Sequence, residues 1–160
     1  MSVPSGAERY GEIVYNNILY ELSNTPLNQE TIDKSLDVIK KCACIYFPTK
    51  VNSLHNLFQY AVKEGKLYIT SFECTTLANS NITPCKNMFF ELFNQNQDYF
   101  LSWFTGELKL VVNMTASGDS SWVFDYDLLV LKVKNGHILE NYNKKEVVKG
   151  LKRLKNYIEE

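Results

Sequence analysis

The chain has 160 residues, is 45% hydrophobic and 13% aromatic, and carries a net charge of −1. That composition excludes a disordered chain and fits one packed domain spanning 1–160, with 1–6 a flexible start. The near-neutral charge excludes a chain that is basic throughout, as a general nucleic-acid or membrane-surface binder would be.

Residues 7–22 read as a helix, because Tyr10, Ile13, Val14, Ile18 and Leu22 recur at helical spacing. Ser23-Asn24-Thr25-Pro26 breaks it. Asn28 or Thr31 is expected to cap a second helix running to about Ile45, with Ile32, Leu36, Ile39 and Ala43 in one row. Phe47-Pro48 ends that helix. Ser53 is expected to cap a third helix over 54–64, with Gly65 closing it. Leu67 to Phe72 alternates and reads as a strand. Pro84 opens a strongly aromatic helical region over 85–104, interrupted by Asn94-Gln95-Asn96-Gln97.

Residues 107–142 read as a β-meander. Asn135-Gly136 sits between two apolar-rich runs, and both residues tolerate the positive φ of a type I′ turn. The turn places Lys134 opposite His137, Val133 opposite Ile138, Leu131 opposite Glu140 and Leu129 opposite Tyr142. In the preceding hairpin Val112 is expected opposite Trp122, Leu110 opposite Phe124 and Leu108 opposite Tyr126. One face would then collect Leu108, Leu110, Val112, Met114, Trp122, Phe124 and Tyr126. From Leu128 to Val133 the central strand is apolar on both faces except at Lys132, so both faces need cover. Residues 144–158 read as a closing amphipathic helix, with Val147, Leu151, Leu154 and Ile158 on one side.

The expected fold is therefore α+β. N-terminal helices pack on an antiparallel sheet of three to four strands (67–72, 108–114, 122–133, 138–142), and a C-terminal helix closes it. The order of helices followed by a curved sheet resembles the cone-shaped folds of the nuclear transport factor 2 type.

Several groups bear on chemistry. Asp125, Asp127 and Glu140 fall on one face of the expected hairpin, as a cation site or as a solvated strand face with Lys109 opposite Asp125. His55 and His137 are too far apart in sequence to define a site. Cys42 and Cys44, two apart on an expected helix, do not face each other. With no secretory signal in the sequence, Cys42, Cys44, Cys74 and Cys85 are expected to be reduced thiols in a cytoplasmic protein, and the sequon Asn113-Met114-Thr115 a chance match. No Gly-rich phosphate loop and no nucleophile elbow is present. No catalytic residue, cofactor-binding residue or metal ligand is assigned, and no membrane partner is expected.

The function expected from these features is a non-enzymatic protein-binding module, such as an adaptor or a toxin-neutralising immunity protein. Its partner is another protein, with homo-oligomers open. Phe100, Trp103, Tyr126, Glu140 and Tyr142 are the candidate partner or pocket surface. One alternative is a small-molecule-binding protein or enzyme with a pocket between the sheet and the aromatic helix. Another is nucleic-acid binding through a basic surface at Lys145, Lys149, Lys152 and Arg153 on the last helix.

Overall fold

The computed structural model describes residues 9–42, 54–74, 87–116 and 123–149. Within them the chain forms β1 (Glu12–Tyr15), β2 (Ile18–Leu22), α1 (Gln29–Lys41), β3 (Phe58–Lys63), β4 (Lys66–Phe72), α2 (Met88–Phe93), β5 (Tyr99–Phe100), β6 (Gly106–Ala116), β7 (Val123–Lys134) and β8 (His137–Lys149). The strands pair in the order β3-β1-β2-β6-β7-β8-β4, and β4 pairs again with β3. Seven strands thus close into a barrel, with β5 added on the edge of β4.

This overturns the α+β expectation and the resemblance to cone-shaped folds. The physical reason lies in three short turns. Asn16 and Asn17 both have positive φ, as do Glu64 and Gly65, and Asn135 and Gly136. Each pair is a two-residue turn whose twist matches antiparallel strands. The expected helix over 7–22 is instead the β1–β2 hairpin, and the expected helix over 54–64 ends in β3. The described part of 85–104 holds only the six-residue α2, stopped by Asn94 in the left-handed region, and then β5. At the other end β8 continues to Lys149, so Lys144 to Lys149 lie in a strand rather than a helix. The remainder of the expected closing helix lies outside the described residues.

Two expectations hold. α1 is capped by Asn28, whose Oδ1 accepts from Thr31 N at 2.9 Å. β4 falls where the alternation placed it.

The Asn135-Gly136 register is correct for Lys134↔His137 and Val133↔Ile138. A bulge then makes Leu139 an extra residue, so Glu140 faces Lys132 and Tyr142 faces Val130. The β6–β7 register differs more. Leu108 pairs with Leu131, Leu110 with Leu129 and Met114 with Tyr126, with Val112 the extra residue of a second bulge. Val112 therefore does not join the buried face but stands 49% exposed. Trp122 lies outside the described residues.

That bulge switches which positions of β6 face inward. Before it Leu108 and Leu110 face the barrel interior; after it Met114 faces the outside. The interior cluster joins Ile13, Leu22, Phe58, Tyr60, Leu67, Ile69, Leu131 and Val133 to Ile32, Ile39 and Phe89 of the helices. A second cluster of Val111, Met114, Phe124, Tyr126, Leu128 and Val130 occupies the outer face. Both faces of β7 are thus buried, as its sequence demanded. Tyr142 packs on the outer cluster, and its hydroxyl donates to Glu107 Oε2 at 2.6 Å. Lys109 Nζ reaches across β7 to Glu146 Oε2 at 3.0 Å. These bridges cover apolar side chains with paired polar ones.

Cys42, at the C-terminal end of α1, and Cys74 are both disulfide-bonded. The expectation of reduced thiols is corrected at these two positions. Among the described residues no helix is long and apolar enough to cross a membrane.

Candidate functional site on the outer face of the first hairpin

β1 and β2 are short, and the Asn16-Asn17 turn fixes their register. Alternation then dictates the two faces. Ile13 and Tyr15 point inward with Tyr20 and Leu22. The opposite face carries two cross-strand pairs, Glu12↔Glu21 and Val14↔Leu19. The apolar pair is open to solvent, Val14 at 40% and Leu19 at 60%, and Ile18 at the turn is 53% exposed.

The apolar pair starts a longer row. Val14 is the ladder partner of Ala61 in β3, Ala61 of Tyr68 in β4, and Tyr68 of Phe100 in β5. Leu19, Val14, Ala61, Tyr68 and Phe100 therefore stand side by side across five strands. At about 4.8 Å per strand the row is roughly 19 Å long. Tyr68 and Phe100 are in ring contact, with centroids 5.7 Å apart.

The acidic pair is uncomfortable. Like charges directly opposite one another on a sheet repel. Burial pushes the Glu21 carboxyl above its ordinary pKa; Arg9 opposes this and Glu12 reinforces it. Glu21 Oε2 is buried and accepts no hydrogen bond. A desolvated acceptor left open costs free energy that a donor would recover.

The neighbouring edge is also open. β2 pairs with β6 only at Glu21↔Val111 and Leu22↔Leu110. Ser23 N donates to Lys109 O at 3.0 Å, and the Asn24 side chain bridges Glu107 O and Lys109 N. All of this lies at one end of the seam. Toward Leu19 the two strands are not paired, and the exposed Val112 is the next β6 residue after the last pair.

The sequence-derived candidates are dispersed. Phe100 belongs to the outer row and also stacks edge-on with His137. Trp103 donates Nε1–H to Pro26 O at 2.9 Å and fastens a loop. Tyr126 is buried in the outer cluster, and Tyr142 packs on that cluster with its ring under Lys132 Nζ. Glu140 is exposed and paired with Lys132 at 2.9 Å. The carboxylate trio is divided, because Glu140 shares a face with Lys132, whereas Asp125 and Asp127 point to the other side of β7. Lys109 pairs with Glu146, not Asp125. Lys145 lies in β8 with Asp127 at 4.0 Å. Lys149 ends β8, while Lys152 and Arg153 lie outside the described residues.

His55 is 2% exposed and packs against Tyr10, and its Nδ1 lies 3.2 Å from Thr25 Oγ1. Burial lowers its pKa to about 4, which keeps it neutral and structural. A groove of about 590 Å³ lies beside the β3–β4 turn, lined by Lys63, Glu64, Tyr68, Asn96, Gln97 and Asp98. It is not the pocket between sheet and aromatic helix that the sequence suggested. Among the described residues no three His, Cys, Asp or Glu side chains converge to hold a metal.

Sequence reasoning missed Glu12, Val14, Leu19 and Glu21 because it placed them on a helix. The signal that could have found them is Asn16-Asn17 between two β-rich runs. Compared with known protein families, with curated proteins and with solved structures, the chain matches none.

Proposed function

We propose that the chain is a non-enzymatic protein-binding module that docks its partner on the outer face of β1–β2. The observation carrying this reading is the pairing, in adjacent rows, of a repelling carboxylate pair with an exposed aliphatic pair. The partner that fits is a protein segment with a Lys or Arg head beside aliphatic side chains. Its cation would sit between Glu12 and Glu21 and donate to Glu21 Oε2. Its aliphatic groups would cover Val14, Leu19 and Ile18. The binding energy would come from two sources, removal of apolar surface from water and relief of an existing repulsion. Adaptors and toxin-neutralising immunity proteins both belong to this class.

Selection of displayed peptides against the folded chain tests the reading. Enriched peptides should carry Lys or Arg within a few residues of aliphatic side chains. Their affinity should fall at least about tenfold, roughly 1.4 kcal/mol, for Val14→Asp and for Glu21→Gln. Val147→Asp, in β8 and exposed, should leave it unchanged. Equal binding to Val14→Asp, or enrichment with no basic residue, would sink the proposal. Self-association abolished by the same two substitutions would identify the partner as a second copy.

A further inference from the structure

The bonded cysteines and the sequon bear on one another. Structural disulfides persist in oxidising compartments and are rare where glutathione keeps thiols reduced. Cys42 and Cys74 are both bonded. Asn113-Met114-Thr115 has the residue pattern of an N-glycosylation acceptor. It reads as chance only while the cysteines are taken as reduced, and two of them are not.

The fold leaves room for a glycan there. Asn113 lies in β6 immediately after the Val112 bulge, opposite Asp127. The bulge sets the local face, so Met114 enters the outer cluster while Asn113 and Thr115 are exposed. Asn113 Oδ1 accepts from Met114 N at 3.0 Å. Its Nδ2, the atom that would carry sugar, makes no hydrogen bond to a described residue. β6 has no described strand on its outer edge beyond Val111, so a bulky branch would displace no described pairing.

We infer that Asn113 is an N-glycosylation site and that the chain matures in an oxidising secretory compartment. The donor class is a lipid diphosphate-linked oligosaccharide. Asn113 Nδ2 forms a bond to the anomeric carbon. The bond from that carbon to the diphosphate oxygen breaks, the lipid diphosphate leaves with the electron pair, and the amide nitrogen loses one proton. The Thr115 hydroxyl completes the recognised triplet. The chain's other such triplet, Asn81-Ile82-Thr83, is followed by Pro84 and lies outside the described residues.

Mass spectrometry on protein from its native cells tests this. Thiols are alkylated before any reduction, and glycans are then released enzymatically. The expected result is no alkylation at Cys42 or Cys74, and conversion of Asn113 to Asp on release. In cells given the full chain behind a secretory signal, Asn113→Gln and Thr115→Ala should remove the modification and Thr115→Ser should retain it. Two results would overturn the inference. One is alkylated Cys42 or Cys74 in the native protein; the other is bare Asn113 in protein whose disulfides are formed. The Asn113→Gln variant changes an exposed side chain, so loss of the glycan is separable from loss of the fold.

Discussion

Two ionisable residues set opposite pH dependences. His55 has its pKa lowered from 6.5 to about 4 by burial. Between those values the unfolded chain binds the proton more tightly, so stability falls as pH drops through this window. The loss is at most about 3 kcal/mol. Glu21 is shifted the other way, raised from 4.5 by desolvation. Its charged form burdens the fold at neutral pH, and protonation relieves the burden as pH falls toward the ordinary carboxylate value. Glu21→Gln should therefore raise neutral-pH stability, because it removes a charge that burial leaves poorly solvated. Chemical denaturation across pH checks both: His55→Gln should flatten the acid-side loss, and Glu21→Gln should deepen it. A Glu21→Gln variant that is less stable at neutral pH would refute that burden. Stability and partner binding would then move in opposite directions at one residue, as expected where a site is kept at a cost.

The β7–β8 turn is the element most legible in the sequence, and its surroundings explain its rigidity. Gly136 has φ +80°, and an added Cβ would meet Leu101 O and the Phe100 ring at 2.6 Å. Gly136 N donates to Phe104 O at 2.9 Å, and Asn135 N to Thr105 Oγ1 at 2.9 Å. Gly136→Ala should cost roughly 2 kcal/mol or more, from backbone strain together with displacement of Phe100. A denaturant midpoint unchanged by that substitution would show the contact to be soft. The other two turns were hidden by coincidence of spacing. Tyr10, Ile13, Val14, Ile18 and Leu22 satisfy a helical period, yet in the structure Ile13 and Val14 face opposite ways. Leu57, Phe58, Ala61 and Val62 deceive in the same manner. Short apolar windows do not decide between helix and strand; pairing with distant strands does. Gly65 was legible as a break, but as a helix end rather than half of a turn.

The whole molecule is a barrel with uneven seams. β6, β7 and β8 share long ladders, whereas β2–β6 has two paired positions and β4–β8 has one. The second seam is reinforced by Leu67 N donating to Gly136 O and Ile138 N to Gly65 O, both at 2.8 Å. Local opening follows the thinnest pairing. Amide exchange should be slowest in β7 and markedly faster in β2 around Leu19; equal protection in both would contradict an uneven barrel. The closed sheet itself was not legible. Closure requires β1 to pair in parallel with β3 and β4 to return to β3 and β8, and nothing local to any one strand encodes that. The candidate site shares the reason, since Leu19, Val14, Ala61, Tyr68 and Phe100 meet only through this topology.

Val112 occupies one place in β6, yet it sets the phase of all that follows. Ahead of it the even positions Leu108 and Leu110 serve the interior, whereas behind it the even position Met114 joins Val111 in the outer cluster. Removing Val112 would straighten the strand and leave every later residue on its present face, because Val111 and Asn113 already oppose consecutive residues of β7. Inserting one more residue beyond it would instead exchange the inside and outside of the distal strand and turn Met114 away from the outer cluster. This strand thus tolerates a lost residue at the bulge far better than a gained one past it.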